Sequence, residues 1–266
     1  MPGVAAFSDE FRDGLRGPFG DDAKGGFIVG RPHFEADVRY GIVGGISHPQ
    51  LTGDSIASSV AVWANSPMQF ISYVSCHDDL CLFDRFRKTV PGASVKELYA
   101  WQKLAETAVL TSQGVPFIYS GDEILRSKFG VANSYNSGDS INAINWGLKT
   151  IHREVFDYVK GLIAMRKAHP AFRLGSPDLI RKHLEFIHVP ATNVVAFRLK
   201  GSPHGDSWLN TIVVLNARTE PIKVDIPDGK YWIACRDGKI DLVLGLGTLQ
   251  GNQAVVAPMS AMIIHQ

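Results

Sequence analysis

Three cysteines in 266 residues, Cys76, Cys81 and Cys235, are too few to form a disulfide framework. Cys76 and Cys81 bracket a His-Asp pair, but one histidine and no second ligand pair match zinc spacing poorly. Both read better as small buried fillers. An excess of charge is missing too. The formal net charge is +1, and no basic run interleaves with aromatics, so electrostatics give no argument for nucleic acid or a membrane surface. No stretch approaches the ~20 apolar residues that span a bilayer. The N-terminal residues through Ser8 contain neither a charged nor an apolar leader segment. The nine histidines are dispersed, none in HExxH spacing. What remains is ordinary: 45% hydrophobic and 20% charged, in a length that suits one large domain or two of typical size.

The stretch that organises the rest is Phe70-Ile-Ser-Tyr-Val-Ser-Cys-His-Asp-Asp79. Buried parallel strands read as short, nearly continuous apolar runs. In α/β barrels the polar residues at such a strand's C-terminal end line the active face. His77 and Asp78 are therefore candidates for gripping a polyhydroxylated substrate; the alternative is a strand ending in a solvated turn.

Val4 to Phe7 predicts another short strand, with a polar, turn-rich exit from Ser8 to Gly14. A chain that begins inside an element reads as a piece of a longer one. Residues 17–33 are rich in Gly, Pro and Asp and predict a loop. Phe34 to Gly44 predicts one or two helical turns, and Ser47 to Ser66 carries no clear signal. The best-marked helix opens at the Ser94/Glu97 capping box. It presents Leu98, Trp101, Leu104, Ala105, Ala108 and Val109 on one face and stops at Gly114. Trp101 on that face reads as core. Val115 to Tyr119 predicts a third strand, ending at Asp122 and Glu123, so that strand, helix and strand form a βαβ unit. The polar segment from Arg126 to Trp146 predicts a loop of about twenty residues, long enough to suggest function. Ile151 to Lys167 predicts a further helix.

After about Gly175 the texture changes. Segments 184–189, 194–199, 211–215, 222–226, 231–234, 255–256 and 261–264 predict strands. Turn signals at Asp228-Gly229, Asp237-Gly238 and Gly251-Asn252 separate them, which indicates an antiparallel sandwich. The predicted organisation is α/β for residues 1–175 and all-β for residues 176–266.

Three predicted strand ends carry Asp9/Glu10/Asp13, His77/Asp78/Asp79 and Asp122/Glu123. Clustered Asp, Asn and His near aromatics such as Tyr135 and Trp146 suit carbohydrate, whose hydroxyls meet planar polar groups and whose apolar faces stack on rings. Tyr73-Val-Ser-Cys-His-Asp-Asp79 resembles the fourth conserved region of the α-amylase family of glycoside hydrolases, family 13. Gly114-Val-Pro-Phe-Ile-Tyr-Ser-Gly-Asp-Glu123 resembles that family's last barrel strand. Phe7 to Gly14 and the loop Asn133-Ser-Tyr-Asn-Ser-Gly-Asp-Ser-Ile-Asn142, closed by Asn145-Trp146, are similar to type I pullulanases, which act on α-1,6 linkages of branched α-glucans.

The resemblance implies the C-terminal part of a (β/α)8 TIM barrel, strands six to eight, followed by an antiparallel β-sandwich domain. It implies a retaining glycosidase, whose two reacting carboxylates lie about 5–5.5 Å apart. Asp78 matches the family's transition-state-stabilising aspartate, and His77 the histidine beside it on the −1 sugar. Asp139, Asn142 and Tyr135 in the long loop are further substrate-binding candidates. Asp79 departs from the commoner Asn and is given no role.

Neither the family's nucleophile segment nor its acid/base segment has a match here; they would lie upstream of Met1. Asp9, Glu10, Asp122 and Glu123 belong to strands whose counterparts do not supply the reacting pair. The chain alone is thus not expected to hydrolyse glycosides. Its expected partners are an α-glucan and a missing N-terminal barrel half or a second copy, since an open barrel sheet leaves exposed edges. The alternative is a non-catalytic α-glucan-binding or assembly module. No metal site or cofactor is predicted; calcium, used by many relatives, has no ligand set legible in this stretch.

Overall fold

The computed structural model describes residues 3–51 and 62–266, so part of the unassigned stretch from Ser47 to Ser66 lies outside the described residues. The chain opens with β1 (Ala6–Phe7), α1 (Asp9–Arg16) and α2 (Glu35–Ile42). It continues through β2 (Phe70–Ser72), α3 (Leu82–Thr89), α4 (Val95–Thr111) and β3 (Val115–Pro116). The three strands pair in parallel in that order, with Phe7 opposite Ile71 and Ile71 opposite Val115. The βαβ unit expected between residues 70 and 119 is present.

Two expectations fail locally. The exit after Phe7 is helix α1 and not a turn. Ser8 is extended, Asp9 and Glu10 sit in the first turn and Arg16 in the last, the charge order that favours a helix dipole. Phe11, Gly14 and Leu15 form its buried stripe. The second strand stops at Ser72, earlier than expected, and helix α3 begins at Leu82. Asp79 lies between them in the left-handed region (φ 66°), where neither a strand nor a right-handed helix continues.

Helices α1 and α2 touch through glycine. A Cβ on Gly41 would lie 1.9 Å from the Phe11 ring, and one on Gly14 2.6 Å from Asp37 Cβ. Helix α4 begins with the expected capping box: Glu97 Oε2 accepts from Ser94 N at 2.8 Å, and Ser94 Oγ accepts from Glu97 N at 3.3 Å. Trp101 is buried in the main core with Phe86 and Leu104.

The long polar segment contains the one-turn α5 (Asp139–Asn142) and leads to α6 (Leu148–Ile151) and α7 (Arg153–Ala168). Helix α8 (Pro177–His183) was not anticipated; its signal is Pro177 at the first helical position after Ser176. The strands β4 (Leu184–Ile187), β5 (Val194–Lys200), β6 (Asn210–Asn216), β7 (Ile222–Arg236), β8 (Lys239–Ile240), β9 (Thr248–Val256) and β10 (Ser260–His265) follow. They form one antiparallel hydrogen-bonded sheet, in the order β4-β5-β6-β10-β7-β8, with β9 on β7.

Period-two alternation buries both faces of this sheet. Val195, Phe197, Val213 and Leu215 join the core shared with α4 and α7. Val194, Ala196, Ile212 and Val214 meet Val224, Tyr231, Ala254 and Val256 of β7 and β9 in a second core. Segments 222–226 and 231–234 are one strand, contrary to expectation. Asp228-Gly229 is absorbed as a register irregularity, and Gly229 pairs with Gly251, so Gly251-Asn252 also lies within a strand. A bulge spends the turn-forming residues without reversing the chain. Among the described residues no helix is long and apolar enough to cross a membrane.

Candidate functional site

The ends of β1 and β2 and the start of α1 surround a cavity of about 760 Å³. Its wall includes Phe7, Tyr73, Cys76, His77, Asp78 and Asn133. His77 and Asp78 project into solvent, both side chains 76% exposed, with Nδ1 3.1 Å from Oδ1. Cys76 is half-buried on the cavity wall, where a core residue was expected. With the strand ended at Ser72, alternation no longer directs it inward. Cys81 and Cys235 are buried, and Cys81 Sγ donates to Arg126 O at 3.0 Å.

Behind the exposed pair lies a buried charge network. Asp79 Oδ2 accepts from Arg16 Nη2 at 2.8 Å and stands 3.9 Å from Arg85 Nη1. Arg85 donates to Asp22 Oδ1 at 2.8 Å and to the carbonyls of Pro18, Asp21 and Lys24. One guanidinium thus ties the 17–24 loop to α3. Burial lowers the Arg85 pKa, with Arg16 adding to the effect. Burial pushes the Asp22 carboxyl up, but Lys88 and Arg85 outweigh it and hold it below its usual range.

The cavity floor is a second network. Arg12 reaches Asp9 Oδ1 at 2.8 Å, Asp13 Oδ1 at 2.7 Å and Tyr73 OH at 2.8 Å. Burial opposes the Arg12 charge, yet the Asp13 hydrogen bond and the neighbouring Tyr73, Asp13 and Asp9 raise its pKa. Tyr73 is fixed edge-on to Phe7, ring centroids 4.8 Å apart. Glu10 accepts from Trp63 Nε1 at 3.2 Å. Asp122 is buried against Ser75 Oγ, and burial pushes its pKa up to about 7. Glu123 Oε2 accepts from Gly121 N at 3.0 Å. Of the cavity's described carboxylates, Asp9, Asp13 and Asp79 are each paired to an arginine, while Asp78 meets a histidine and water.

The long loop contributes Ala132 and Asn133 to the cavity, and Asp139, Asn142 and Tyr135 do not line it. Tyr135 is exposed and Asp139 opens α5. The Asn142 amide donates to Ser134 O at 2.7 Å and Ser137 O at 2.8 Å, so it clamps its own loop. Asp84 on α3 anchors that loop, accepting from Lys128 N at 2.7 Å and Ser127 Oγ at 2.6 Å. Arg12, Arg16, Asp79, Asp84 and Arg85 were not foreseen. The available signal was charge beside the apolar stripe of a short helix, Leu15-Arg16 and Arg85-Phe86, because a charge carried inward must be paired. Among the described residues no group of three or more His, Cys, Asp or Glu side chains is placed to hold a metal ion.

Comparison with known proteins identifies the family. The family model "Pullulanase, all-beta domain" matches residues 180–239. A pullulanase of Bacillus subtilis (strain 168) is 35% identical over 236 residues, covering 88% of this chain and 32% of that protein. The solved pullulanase from Bacillus acidopullulyticus superposes with a TM-score of 0.89 at 34% identity, covering 99% of this chain and 30% of that one. The pullulanase from Paenibacillus barengoltzii, solved in complex with maltohexaose and α-cyclodextrin, gives 0.86 at 35% identity, covering 100% and 39%. The chain thus spans about a third of the length of the curated relative it matches at 35% identity. Sequence, family model and fold together place the chain in the type I pullulanase-like group of the α-amylase family of glycoside hydrolases, as the C-terminal portion of those enzymes.

Proposed function

We propose that this chain supplies the substrate-holding part of an α-glucan-cleaving site, with Asp78 as the transition-state stabiliser and His77 beside it. In this reading residues 1–175 are strands six to eight of a (β/α)8 barrel and residues 176–266 its C-terminal β-sandwich domain. The carrying observation is that His77 and Asp78 face an open cavity while Asp79, their neighbour, is anchored to buried Arg16. His77 Nδ1 points at Asp78 Oδ1, which leaves Nε2 free for a sugar hydroxyl. An oxocarbenium-like transition state develops positive charge on the ring. A carboxylate already held at the sugar's hydroxyls binds that state more tightly than the ground state.

The maltohexaose and α-cyclodextrin bound by the Paenibacillus enzyme support an α-glucan as ligand. The likeness to pullulanases is what supports α-1,6 branch linkages as the bonds cleaved. Asp9, Asp13 and Asp79 are each paired to an arginine. In this reading the reacting carboxylate pair comes from elsewhere, because the family's nucleophile and acid/base segments have no match in this sequence. Among the described residues no strand pairs with the outer edges of β1 and β3. Those edges fit the remaining strands of a pullulanase-type barrel. The same facts support the alternative, an α-glucan-binding module that cleaves nothing by itself.

The two readings separate on mixing the chain with a polypeptide carrying the nucleophile and acid/base segments of a pullulanase. Cleavage of pullulan by the mixture is expected, with a loss of about 10²-fold or more in Asp78→Asn. Full activity of that variant sinks the role given to Asp78. Saturable maltohexaose binding with no reducing ends released by the mixture selects the binding module.

A further inference from the structure

A second aromatic site lies on the β-rich part of the chain and shares no lining residue with the His77 cavity. Trp232 on β7 is half-exposed, and with Trp208, Asp241, Leu244 and His265 it borders a shallow cavity of about 220 Å³. The wall behind it is rigid. The Trp208 indole stacks on the His265 ring at 4.0 Å and 7°, and on the His169 ring at 3.6 Å and 22°. Buried Asp206 holds this stack in place. Its carboxylate meets His169 Nδ1 at 2.8 Å and accepts from Trp208 N and Ala171 N, each at 2.9 Å. Three stacked rings locked by one carboxylate lose little freedom when a ligand arrives.

One polar group of the lining is oriented too, and a cation stands outside the lining, over the Trp232 ring. Asp241 Oδ1 accepts from Val243 N at 2.9 Å and Leu244 N at 3.0 Å, which orients the carboxylate. Lys230 Nζ stands 5.6 Å from the Trp232 ring centroid. The site therefore offers an apolar ring face, one fixed anionic acceptor and one cationic donor. That set is near neutral and selects against a phosphate or a polyanion. A pyranose fits it, with its C–H face on the indole and its hydroxyls on Asp241 and Lys230.

We propose that Trp232, Asp241 and Lys230 form a surface α-glucan-binding site, which holds a stretch of polymer by one or two glucose units without enclosing it. The identity of the sugar rests on the α-glucan reading of the His77 cavity; the presence of a site does not.

Titration of the full chain with β-cyclodextrin, and electrophoresis through amylopectin-containing gels, test it. Trp232→Ala is expected to weaken β-cyclodextrin binding about five-fold or more and to reduce retardation, with Asp241→Ala intermediate. Asp78→Asn is expected to keep the Trp232-dependent binding, which separates failure of this site from failure of the cavity. In the otherwise unaltered chain, the Trp232 indole N–H resonance, assigned with Trp232→Phe, should shift on adding β-cyclodextrin; this does not depend on the alanine variant folding. Wild-type binding by Trp232→Ala with an unmoved indole resonance overturns the proposal. So does an unretarded wild-type chain, which would leave the exposed Val243 and Leu244 beside the cavity to a protein partner.

Discussion

Arg16 Nη2 lies 2.8 Å from Asp79 Oδ2, and both side chains are almost out of water, at 1% and 9% exposure. The pair joins the last turn of α1 to the residue that follows Asp78, so the exposed His77-Asp78 turn is held from behind by a charge pair. Asp79 also stands near Arg85, and deleting its carboxylate would leave positive charge facing positive charge.

Breaking a buried pair from one side costs more than the pair itself contributes, because the remaining charge is left without compensation. Asp79→Ala is expected to lower stability by roughly 3 kcal/mol in urea unfolding. Asp79→Asn, which keeps an acceptor oxygen for Arg16, is expected to cost less. A midpoint for Asp79→Ala equal to wild type would contradict the anchoring role.

The acidic pair Glu106 and Asp122 sets a pH dependence. Burial raises the Glu106 carboxyl well above its ordinary range, with Asp122 and Glu123 adding to it. Burial pushes Asp122 up to about 7, against the hydrogen bond from Ser75 and the charges of Arg16 and Arg126. Between about pH 4 and 7 the folded chain holds protons that the unfolded chain has released. This contribution is complete below the unfolded value, near 4, and is lost as pH rises through the folded value. Stability from this pair should therefore fall from pH 5 to pH 7, and Asp122→Asn should flatten that slope in urea midpoints taken across the range. A slope unchanged by the substitution rejects the assignment.

Gly41→Ala tests the closest helix contact. Its Cβ would enter the Phe11 ring space at 1.9 Å, and Phe11 is fully buried. Overpacking typically costs about 1–3 kcal/mol, so a loss of about 2 kcal/mol is expected, although alanine is the better helix former. Restoration by Gly41→Ala with Phe11→Leu, measured in the same thermal scan, would identify the ring as the cause.

Ser94→Ala removes one half of the capping box on α4. The expected loss is about 1 kcal/mol, read as a lower unfolding midpoint with unchanged denaturant sensitivity.

Much of the fold was legible because its signals are local. Ser94 and Glu97 are three residues apart, and the apolar face from Leu98 to Val109 repeats at helical spacing, so α4 could be placed to within a residue or two. The His77-Asp78 turn was legible from one contiguous stretch. Helix α1 was missed because its polar residues dominate a short segment, and its apolar stripe is only Phe11, Gly14 and Leu15. The continuous β7 was missed because Asp228-Gly229 is a turn signal until a partner strand, β9, absorbs it as a bulge.

The sequence by itself determined the motif that delivers His77 and Asp78, the helix-strand alternation around it, and the antiparallel strands from residue 184 onward. Each of these depends on neighbours within a few positions. Tertiary structure alone decided which charges are spent and which remain available. Arg16 meets Asp79 across 63 positions, His169 meets Asp206 across 37, and Asn142 turns back on its own loop. Burial makes the difference: an arginine carried into the core must find acceptors wherever the chain supplies them, a carboxylate for Arg16 and backbone carbonyls for Arg166. Once those pairs form, Asp78 remains, among the described carboxylates of the cavity, the one with no arginine partner.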